Sequence, residues 1–170
     1  GALVAFSGCS ADDSAGGGAD HDGLAAATAE AIAPSSYMQV RPDYRKCMWP
    51  MCGGVFYRAL NEATTRCADG TRATECYAAQ ADWDGLRIPG AAERALEGGV
   101  VRAVARRTTV EGTRIVELVP SEVWASLTGA AVDLAGGTTY KVVDTGVVCK
   151  RAPCFSYNAA KLNSSRRTTL

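Results

Sequence analysis

The cysteines carry the clearest chemical pattern in this chain of 170 residues. Two stretches, Cys47–Asn61 and Cys149–Asn163, read C-x4-C-x7-L-N, and every anchor of the second lies 102 positions after its counterpart in the first. Val40 and Val142 fall on the same offset, so the match needs no gap. The pattern indicates an internal duplication or an interlocking pair of equivalent loops.

Thiolate pairs at this spacing could bind zinc, because structural zinc ligands are often separated by roughly two to four residues. Disulfides are the alternative. If Cys9 is set aside, six of the seven cysteines remain, and an even number is typical of exported proteins. They form three pairs that are local in the sequence, each bracketing a loop with Pro or Gly. The pairs are Cys47 with Cys52, Cys67 with Cys76, and Cys149 with Cys154.

Cys9 is set aside because Leu3–Ser10 resembles the end of a bacterial lipoprotein signal, although Phe6 stands where that signal usually has Leu. Cys9 would then be lipidated and would attach the chain to a membrane. Ser10, rather than Asp, follows it, which is compatible with sorting to the outer membrane of a Gram-negative bacterium. We therefore expect an exported cell-envelope protein facing the periplasm or the surface. An exported protein favours disulfides over zinc.

Composition divides the chain into four parts. Residues 1–9 are expected to be a remnant of the signal, residues 10–36 a flexible acidic tether, residues 37–165 a single folded domain, and residues 166–170 a tail. The tether is mostly Ala, Gly, Ser and Asp and contains no aromatic residue, Lys or Arg. Such a segment buries too little apolar surface to offset its chain entropy.

Charge and the position of the histidine exclude several classes of function. Basic and acidic residues both number 18, so the chain has no overall basic field that would attract nucleic acid. The only histidine, His21, lies in the tether, which leaves the domain without a Ser-His-Asp or Cys-His site. No nucleotide-binding glycine motif occurs. We expect no cofactor, no bound metal and no nucleic-acid partner.

Carboxylates are the remaining catalytic candidates. Asp82 and Asp84 flank Trp83, and Asp43 and Asp69 lie beside cysteine loops. Two carboxylates beside an exposed tryptophan could hydrolyse glycosides or bind calcium. The simpler interpretation is that these residues form turns next to a core tryptophan. No catalytic residue is assigned.

Two surfaces could bind a partner. Met48, Trp49 and Met51 in the first cysteine loop either anchor an interface or fold onto the core, and the apolar composition of the loop favours the core. A basic cluster is expected on one face of a hairpin, where it could bind an anionic polymer or simply be solvated. Its members are Arg102, Arg106, Arg107 and Arg114.

Alternating apolar residues predict strands on both sides of the first cysteine loop. Tyr37–Arg41 enters the loop and Val55–Leu60 returns from it, with Gly53–Gly54 permitting the reversal. Cys76–Trp83 is predicted to be a third strand. Thr139–Val143 opens the second copy of the cysteine frame.

The middle of the chain predicts a short helix and a hairpin. Gly90–Glu97 has the composition of a helix, and Val100–Arg107 pairs with Thr113–Val119 across a Glu-Gly turn. Pro120–Leu127 is predicted to be a helical turn with Trp124 and Leu127 packed inward. The fold class is mainly antiparallel β (α+β) with one or two short helices, in a compact disulfide-clipped or barrel-like domain.

Several of these segments together resemble a bacterial family of domains of unknown function found in predicted exported proteins and lipoproteins. The family has an early C-x4-C-G-G motif and a late A-P-C-F motif, and the resemblance spans residues 37–163. It implies no activity and transfers no catalytic residue. The resembling segments are Arg41–Gly54, Asn61, Cys67–Gly70, Cys76–Tyr77, Asp82–Trp83, Ser121–Trp124, Thr145–Phe155 and Leu162–Asn163.

The sequence therefore predicts a non-catalytic binding or structural module at the cell envelope. It would be held by a lipid on Cys9 and would contact an envelope protein or an anionic polymer. One alternative is a carboxylate-dependent envelope hydrolase, which needs Asp82 or Asp84 in an open cleft. The other is a protease inhibitor, which needs a protruding, rigid Met48–Met51 loop.

Overall fold

Strands dominate the fold. The computed structural model describes residues 34–125, 134, 136–148, 150–151, 154 and 156–169. Within these ranges, no helix is long and apolar enough to cross a membrane. In chain order the elements are β1 (Ser36–Pro42), β2 (Val55–Ala59), β3 (Thr65–Arg66), β4 (Arg72–Ala73), β5 (Cys76–Ala78), β6 (Gln80–Ala81), α1 (Ala91–Leu96), β7 (Val100–Val110), β8 (Thr113–Trp124), β9 (Tyr140–Asp144), β10 (Tyr157–Lys161) and β11 (Arg167–Thr169).

Six strands form the main sheet in the order β5-β2-β1-β7-β8-β6, with only β6 and β8 parallel. Side chains of a strand alternate between two faces, and the valine and alanine positions of β7 follow this rule. Val101, Ala103 and Ala105 are buried. They pack with Tyr57 of β2 and Ala95 of α1 in one core. The mainly antiparallel architecture agrees with the sequence prediction.

Two predicted hairpins and the predicted helix are confirmed. The strands on both sides of the first cysteine loop are β1 and β2, which pair antiparallel. The β7–β8 hairpin turns at Glu111, which has a φ of 48°, and Gly112, which has a φ of 78°. The predicted helix is α1, which buries Ala91 and Ala95 and leaves its charged residues outside.

The predicted strand Cys76–Trp83 is two strands rather than one. β5 pairs with β2 at one edge of the main sheet, while β6 pairs with β8 at the other edge. Only Ala79 separates them, and its N–H donates to the carbonyl oxygen of Val116 in β8 at 2.9 Å. The main sheet therefore curls, because its two edge strands, β5 and β6, follow each other directly in the chain. Its described strands do not close into a barrel.

The predicted helical turn at Pro120–Leu127 is wrong for the part that the structure describes, because β8 continues as a strand to Trp124. Proline is tolerated here because the β7–β8 ladder has a bulge between Arg102 and Ala103, and bulges accommodate a residue without a ladder donor. Trp124 is 48% exposed instead of packed inward. Leu127 lies outside the described residues.

Three strands form a second sheet in the order β11-β10-β9, and both pairings are antiparallel. β9 is the strand predicted at Thr139–Val143. β11 falls within the predicted tail of residues 166–170, so ordered structure extends past residue 165. The pairing of β11 with β10 explains this, since the ladder fixes Arg167–Thr169.

Candidate functional site

The two C-x4-C-x7-L-N frames fold into hairpins with the same register. In the first hairpin, formed by β1 and β2, Val40 lies opposite Tyr57. In the second hairpin, formed by β9 and β10, Val142 lies opposite Ala159. Both members of the second pair lie 102 positions after their counterparts, and the offset holds for every paired position of the two ladders. The sequence repeat is therefore also a structural repeat.

Asn61, at the base of the first hairpin, binds the base of the second. Its Nδ2 donates to the carbonyl oxygens of Thr139 and Leu162 at 2.8 and 3.0 Å. Its Oδ1 accepts from the Thr139 N–H at 2.8 Å. Asn61 has a φ of 60°, a left-handed conformation that asparagine adopts more readily than most residues.

Asn163, the equivalent residue of the second hairpin, returns the same three bonds to the first. Its Nδ2 donates to the carbonyl oxygens of Tyr37 and Leu60 at 2.8 and 2.9 Å, and its Oδ1 accepts from the Tyr37 N–H at 2.7 Å. Its φ is 55°. Each asparagine thus hydrogen-bonds to two backbone carbonyl oxygens and one backbone N–H of the other hairpin. This reciprocal pattern is that of two units related by a two-fold axis. The two hairpins interlock at their bases.

A charged clamp holds the first cysteine loop, residues 43–54, at the opposite end of the first hairpin. Arg45 donates to both carboxylate oxygens of Asp43, and its Nη2 also donates to the Met51 carbonyl oxygen at 2.9 Å. The guanidinium lies over the rings of Phe56 and Tyr77, at 5.0 and 5.2 Å from their centres. The hydrogen bonds from Arg45 lower the pKa of Asp43, whose side chain is buried.

Tyr77 and two glycines form the other half of the clamp. The Tyr77 hydroxyl accepts from the Gly54 N–H at 3.3 Å and donates to the Pro50 carbonyl oxygen at 3.1 Å. Burial of this side chain raises the pKa of Tyr77. A Cβ atom on Gly54 would overlap the carbonyl oxygen of Ala78 in β5, and Gly53 has a φ of 84°. The backbone therefore requires glycine at both positions.

The clamp presents an apolar surface to solvent. Tyr44, Met48 and Met51 are exposed and Trp49 is 42% exposed, and we call these four side chains the apolar tip. The prediction that Trp49 folds onto the core is wrong. The reason is that Arg45 and Tyr77 hold the loop backbone through the carbonyl oxygens of Met51 and Pro50, which leaves the side chain of Trp49 partly in solvent.

Disulfides close the cysteine loops as the local pairing predicts. Cys47 is bonded to Cys52, and Cys67 is bonded to Cys76. Cys154 is also disulfide-bonded; its predicted partner, Cys149, lies outside the described residues, as does the predicted lipidation site Cys9. Within the described ranges no cluster of three or more His, Cys, Asp or Glu side chains could hold a metal ion.

The loop of the second hairpin carries different side chains. Val147 and Val148 are exposed, and so are Lys150 and Arg151. Lys150 and Arg151 stand at the positions equivalent to Met48 and Trp49. The second loop thus shares its spacing and strand register with the first loop, but no aromatic side chain is among its described residues.

The candidate carboxylates serve as turn residues. Asp82 Oδ1 accepts from the Gly85 N–H at 3.1 Å, where residues 84–86 form a single 3-10 turn. Asp69 Oδ1 accepts from both the backbone and the hydroxyl of Thr71, and these bonds lower the pKa of Asp69. These hydrogen bonds agree with the simpler interpretation of the sequence.

The arginine cluster is divided between two faces of the β7–β8 hairpin. Arg102 is paired with Glu122 at 2.9 Å, and Arg106 is paired with Glu117 at 2.7 Å. Arg107 belongs to the opposite face because adjacent residues of a strand alternate. Arg114 is paired with Thr109, and Thr109 lies two residues after Arg107 in β7. Arg114 is therefore on the same face of the hairpin as Arg107. The prediction of a single basic face is wrong.

Two features were missed by the reasoning from sequence. The first is the reciprocal set of hydrogen bonds made by Asn61 and Asn163, which we call the asparagine lock. Its signal was present in the Leu-Asn pairs that close both frames. The second is the clamp, because nothing in the sequence relates Arg45 to Phe56 or Tyr77.

A cleft of about 260 Å³ lies beside the lock, with Arg58, Asn61 and Lys161 among its lining residues.

Comparison with known proteins gives one match. Residues 36–170 match a family described as a domain of unknown function, DUF6748. No curated protein and no solved structure matches the chain. The family match covers both hairpins, the lock and the apolar tip.

Proposed function

We propose that this chain, which belongs to the DUF6748 family, is an exported, lipid-anchored binding module of the cell envelope. Its contact surface would be the apolar tip, its anchor a lipid on Cys9, and it would perform no catalysis of its own. The observation that carries the proposal is a set of exposed apolar side chains on a loop held in place by a disulfide and by hydrogen bonds from Arg45 and Tyr77.

The clamp supports a binding role because it reduces the entropy lost on association. A disulfide, the Asp43–Arg45 pair and the Tyr77 hydroxyl fix the backbone that carries Trp49. Rigid loops bind more tightly than mobile ones because less freedom is lost. Tryptophan is also among the residue types that most often dominate binding energy at interfaces.

Charge at the tip favours an envelope protein over an anionic polymer. Of the three cations that flank the tip, Arg41 is paired with Glu75 and Arg45 with Asp43. Lys46 is the third. Arg102 and Arg106 of the predicted basic cluster are also paired with carboxylates, so apolar contact is the stronger basis for recognition at the tip.

The two alternatives have less support. A carboxylate hydrolase would need Asp82 or Asp84 in an open cleft, whereas Asp82 Oδ1 accepts from the Gly85 N–H and Asp84 lies exposed in the 3-10 turn of residues 84–86. A protease inhibitor would present extended backbone to a protease, whereas the Met51 N–H donates to the Met48 carbonyl oxygen at 3.0 Å and forms a tight turn. The loop protrudes, but its backbone forms a turn where the backbone of a protease substrate would be extended.

The tip is tested by affinity capture from an envelope extract. We expect Trp49→Ala to remove the specific partner and Trp124→Ala to retain it, because the two tryptophans have similar exposure in different places. Circular dichroism checks that both variants fold. An identical partner list for the wild type and Trp49→Ala would contradict the proposal.

The lipid anchor is tested separately. Mass spectrometry of the mature chain from a Gram-negative host should find a lipid on Cys9, and Cys9→Ser should move the protein from the membrane fraction to the soluble fraction. An unmodified Cys9 in the mature chain would refute the anchor while leaving the result for the tip unaffected.

A further inference from the structure

Among the strands that the structure describes, β9 is at the edge of the second sheet. It pairs with β10 on one side, and all five of its residues are exposed. The carbonyl oxygen of Thr139 accepts from the Leu162 N–H, and the Thr145 N–H donates to the Ser156 carbonyl oxygen, so both residues face the β10 side of the hairpin. In an antiparallel ladder the residues facing a partner alternate, so the N–H and C=O groups of the even-numbered residues 140, 142 and 144 point away from β10.

The first hairpin shows that the equivalent edge accepts an antiparallel strand. On its side away from β2, β1 pairs with β7, placing Met38 opposite Val101 and Ser36 opposite Ala103. Met38 and Ser36 are the counterparts of Tyr140 and Thr138. Among the described residues, no strand takes the place of β7 beside β9.

Few features of β9 protect this edge from pairing. Natural edge strands are commonly blocked by proline, charges or bulges. Residues Tyr140–Asp144 contain no proline or glycine, and their exposed apolar side chains lie on both faces: Tyr140 and Val142 on one, Val143 on the other. The Nζ atom of Lys141 lies 5.3 Å from the centre of the Trp124 ring, which holds that charge to one side.

We propose that β9 pairs antiparallel with β9 of a second copy of this chain. The two three-stranded sheets would then join into one sheet of six strands. With the two-fold axis at Val142, the outward N–H and C=O groups of residues 140, 142 and 144 form hydrogen bonds between the two copies. It places Tyr140 opposite the partner's Asp144 and Lys141 opposite the partner's Val143.

Charge excludes the register centred on Lys141, and strand length disfavours the register centred on Val143, which would pair only residues 142–144 of the two β9 strands. An axis through Lys141 would also satisfy the outward hydrogen bonds, but it would place two ammonium groups directly opposite each other, which destabilises a strand pair. The axis through Val142 opposes no like charges and extends to Thr139 opposite the partner's Thr145. One short strand pair buries less than the roughly 1,600 Å² of a standard interface, so the dimer should be weak and depend on concentration.

Sedimentation velocity over a range of concentrations tests the dimer, and Val142→Pro is the decisive variant. The N–H that proline removes points away from β10, so the hairpin keeps its ladder while the edge loses a donor. We expect the wild type to dimerise as concentration rises and Val142→Pro to remain monomeric. A wild type that stays monomeric, or a dimer that Val142→Pro leaves unchanged, would overturn the proposal.

Cysteine cross-linking tests the register in a chain whose Cys9 is replaced by Ser. With the axis at Val142, two Val142→Cys residues would form a hydrogen-bonded pair with Cα atoms about 5.5 Å apart, within disulfide range. Two Val143→Cys residues would lie beyond the roughly 7 Å limit for a disulfide. We expect a covalent dimer from Val142→Cys alone. Equal cross-linking of the two variants, or none, would refute the register.

Discussion

Val40 and Val142 occupy equivalent positions in two hairpins of identical register, yet Val40 is 2% exposed and Val142 is 51% exposed. β7, α1 and the rest of the main sheet cover the first hairpin. In the part of the chain that the structure describes, the second hairpin has β11 beside β10 and no strand on the other side of β9. The comparison shows that the repeat determines the hairpin and its lock, while its surroundings determine how much each residue contributes to stability.

The loops of the two hairpins also occupy equivalent positions but have different neighbours. Gly54 lies against β5, and its counterpart in the second hairpin is Ser156. Asp43 and Thr145 are equivalent, and each donates its backbone N–H across the loop, to Gly54 and Ser156 respectively. Only Asp43 adds a buried carboxylate and a clamp. The first loop is therefore built to hold an apolar surface rigidly.

The largest expected effect comes from Gly54→Ala. The added Cβ would overlap the Ala78 carbonyl oxygen, and forcing apart a packed backbone should cost about 3 kcal/mol of unfolding free energy. Ser156→Ala is the matched change in the second hairpin and should cost less than about 0.5 kcal/mol. Urea unfolding followed by circular dichroism measures both. Equal costs would show that the two loops have the same packing.

The lock predicts a symmetric result. Asn61→Asp and Asn163→Asp each remove two Nδ2 donors from backbone carbonyls, and each should cost about 2 to 3 kcal/mol, because unpaired polar groups are expensive. Asn158→Asp, at an exposed position of β10, is the control. If one lock variant proves much less stable than the other, the two hairpins do not share the lock equally.

The paired valines test burial directly. Val40→Ala should cost roughly 2 kcal/mol for lost methyl burial and the remaining cavity. Val142→Ala should change stability by less than about 0.5 kcal/mol, measured at low protein concentration so that association does not contribute. A cost for Val142→Ala that matches the cost for Val40→Ala would mean that the second hairpin is covered in solution.

The smallest effect concerns pH. Since Arg45 lowers the pKa of Asp43 below its ordinary value near 3.8, the folded state binds this proton more weakly than the unfolded state does. The pair therefore stabilises the fold above that value, and the contribution is lost as pH falls through the lowered pKa. The difference in melting temperature between the wild type and Asp43→Asn should shrink below about pH 4. A constant difference down to about pH 2 would exclude this role for Asp43.

Much of the fold could be predicted because its signals are local. Alternation marked β1, β2, β7, β8 and β9, and cysteine spacing gave the disulfides of Cys47 and Cys67. The failures had long-range causes. Ala79 divides a predicted strand because β8, some forty residues later, takes one of its hydrogen bonds, and Trp124 remains in a strand because β7 pairs with it.

By itself, the sequence determined the repeat, the hairpins, the closure of the cysteine loops and the absence of a histidine in the domain, since these depend on residue type and short spacing. Only the tertiary structure decided that Trp49 is exposed, that Val142 is uncovered, and that Asn61 and Asn163 bind each other's hairpin. Those outcomes depend on which distant segments come to lie beside a residue. Because the two frames have the same residue spacing, that spacing cannot explain why their neighbours in the fold differ.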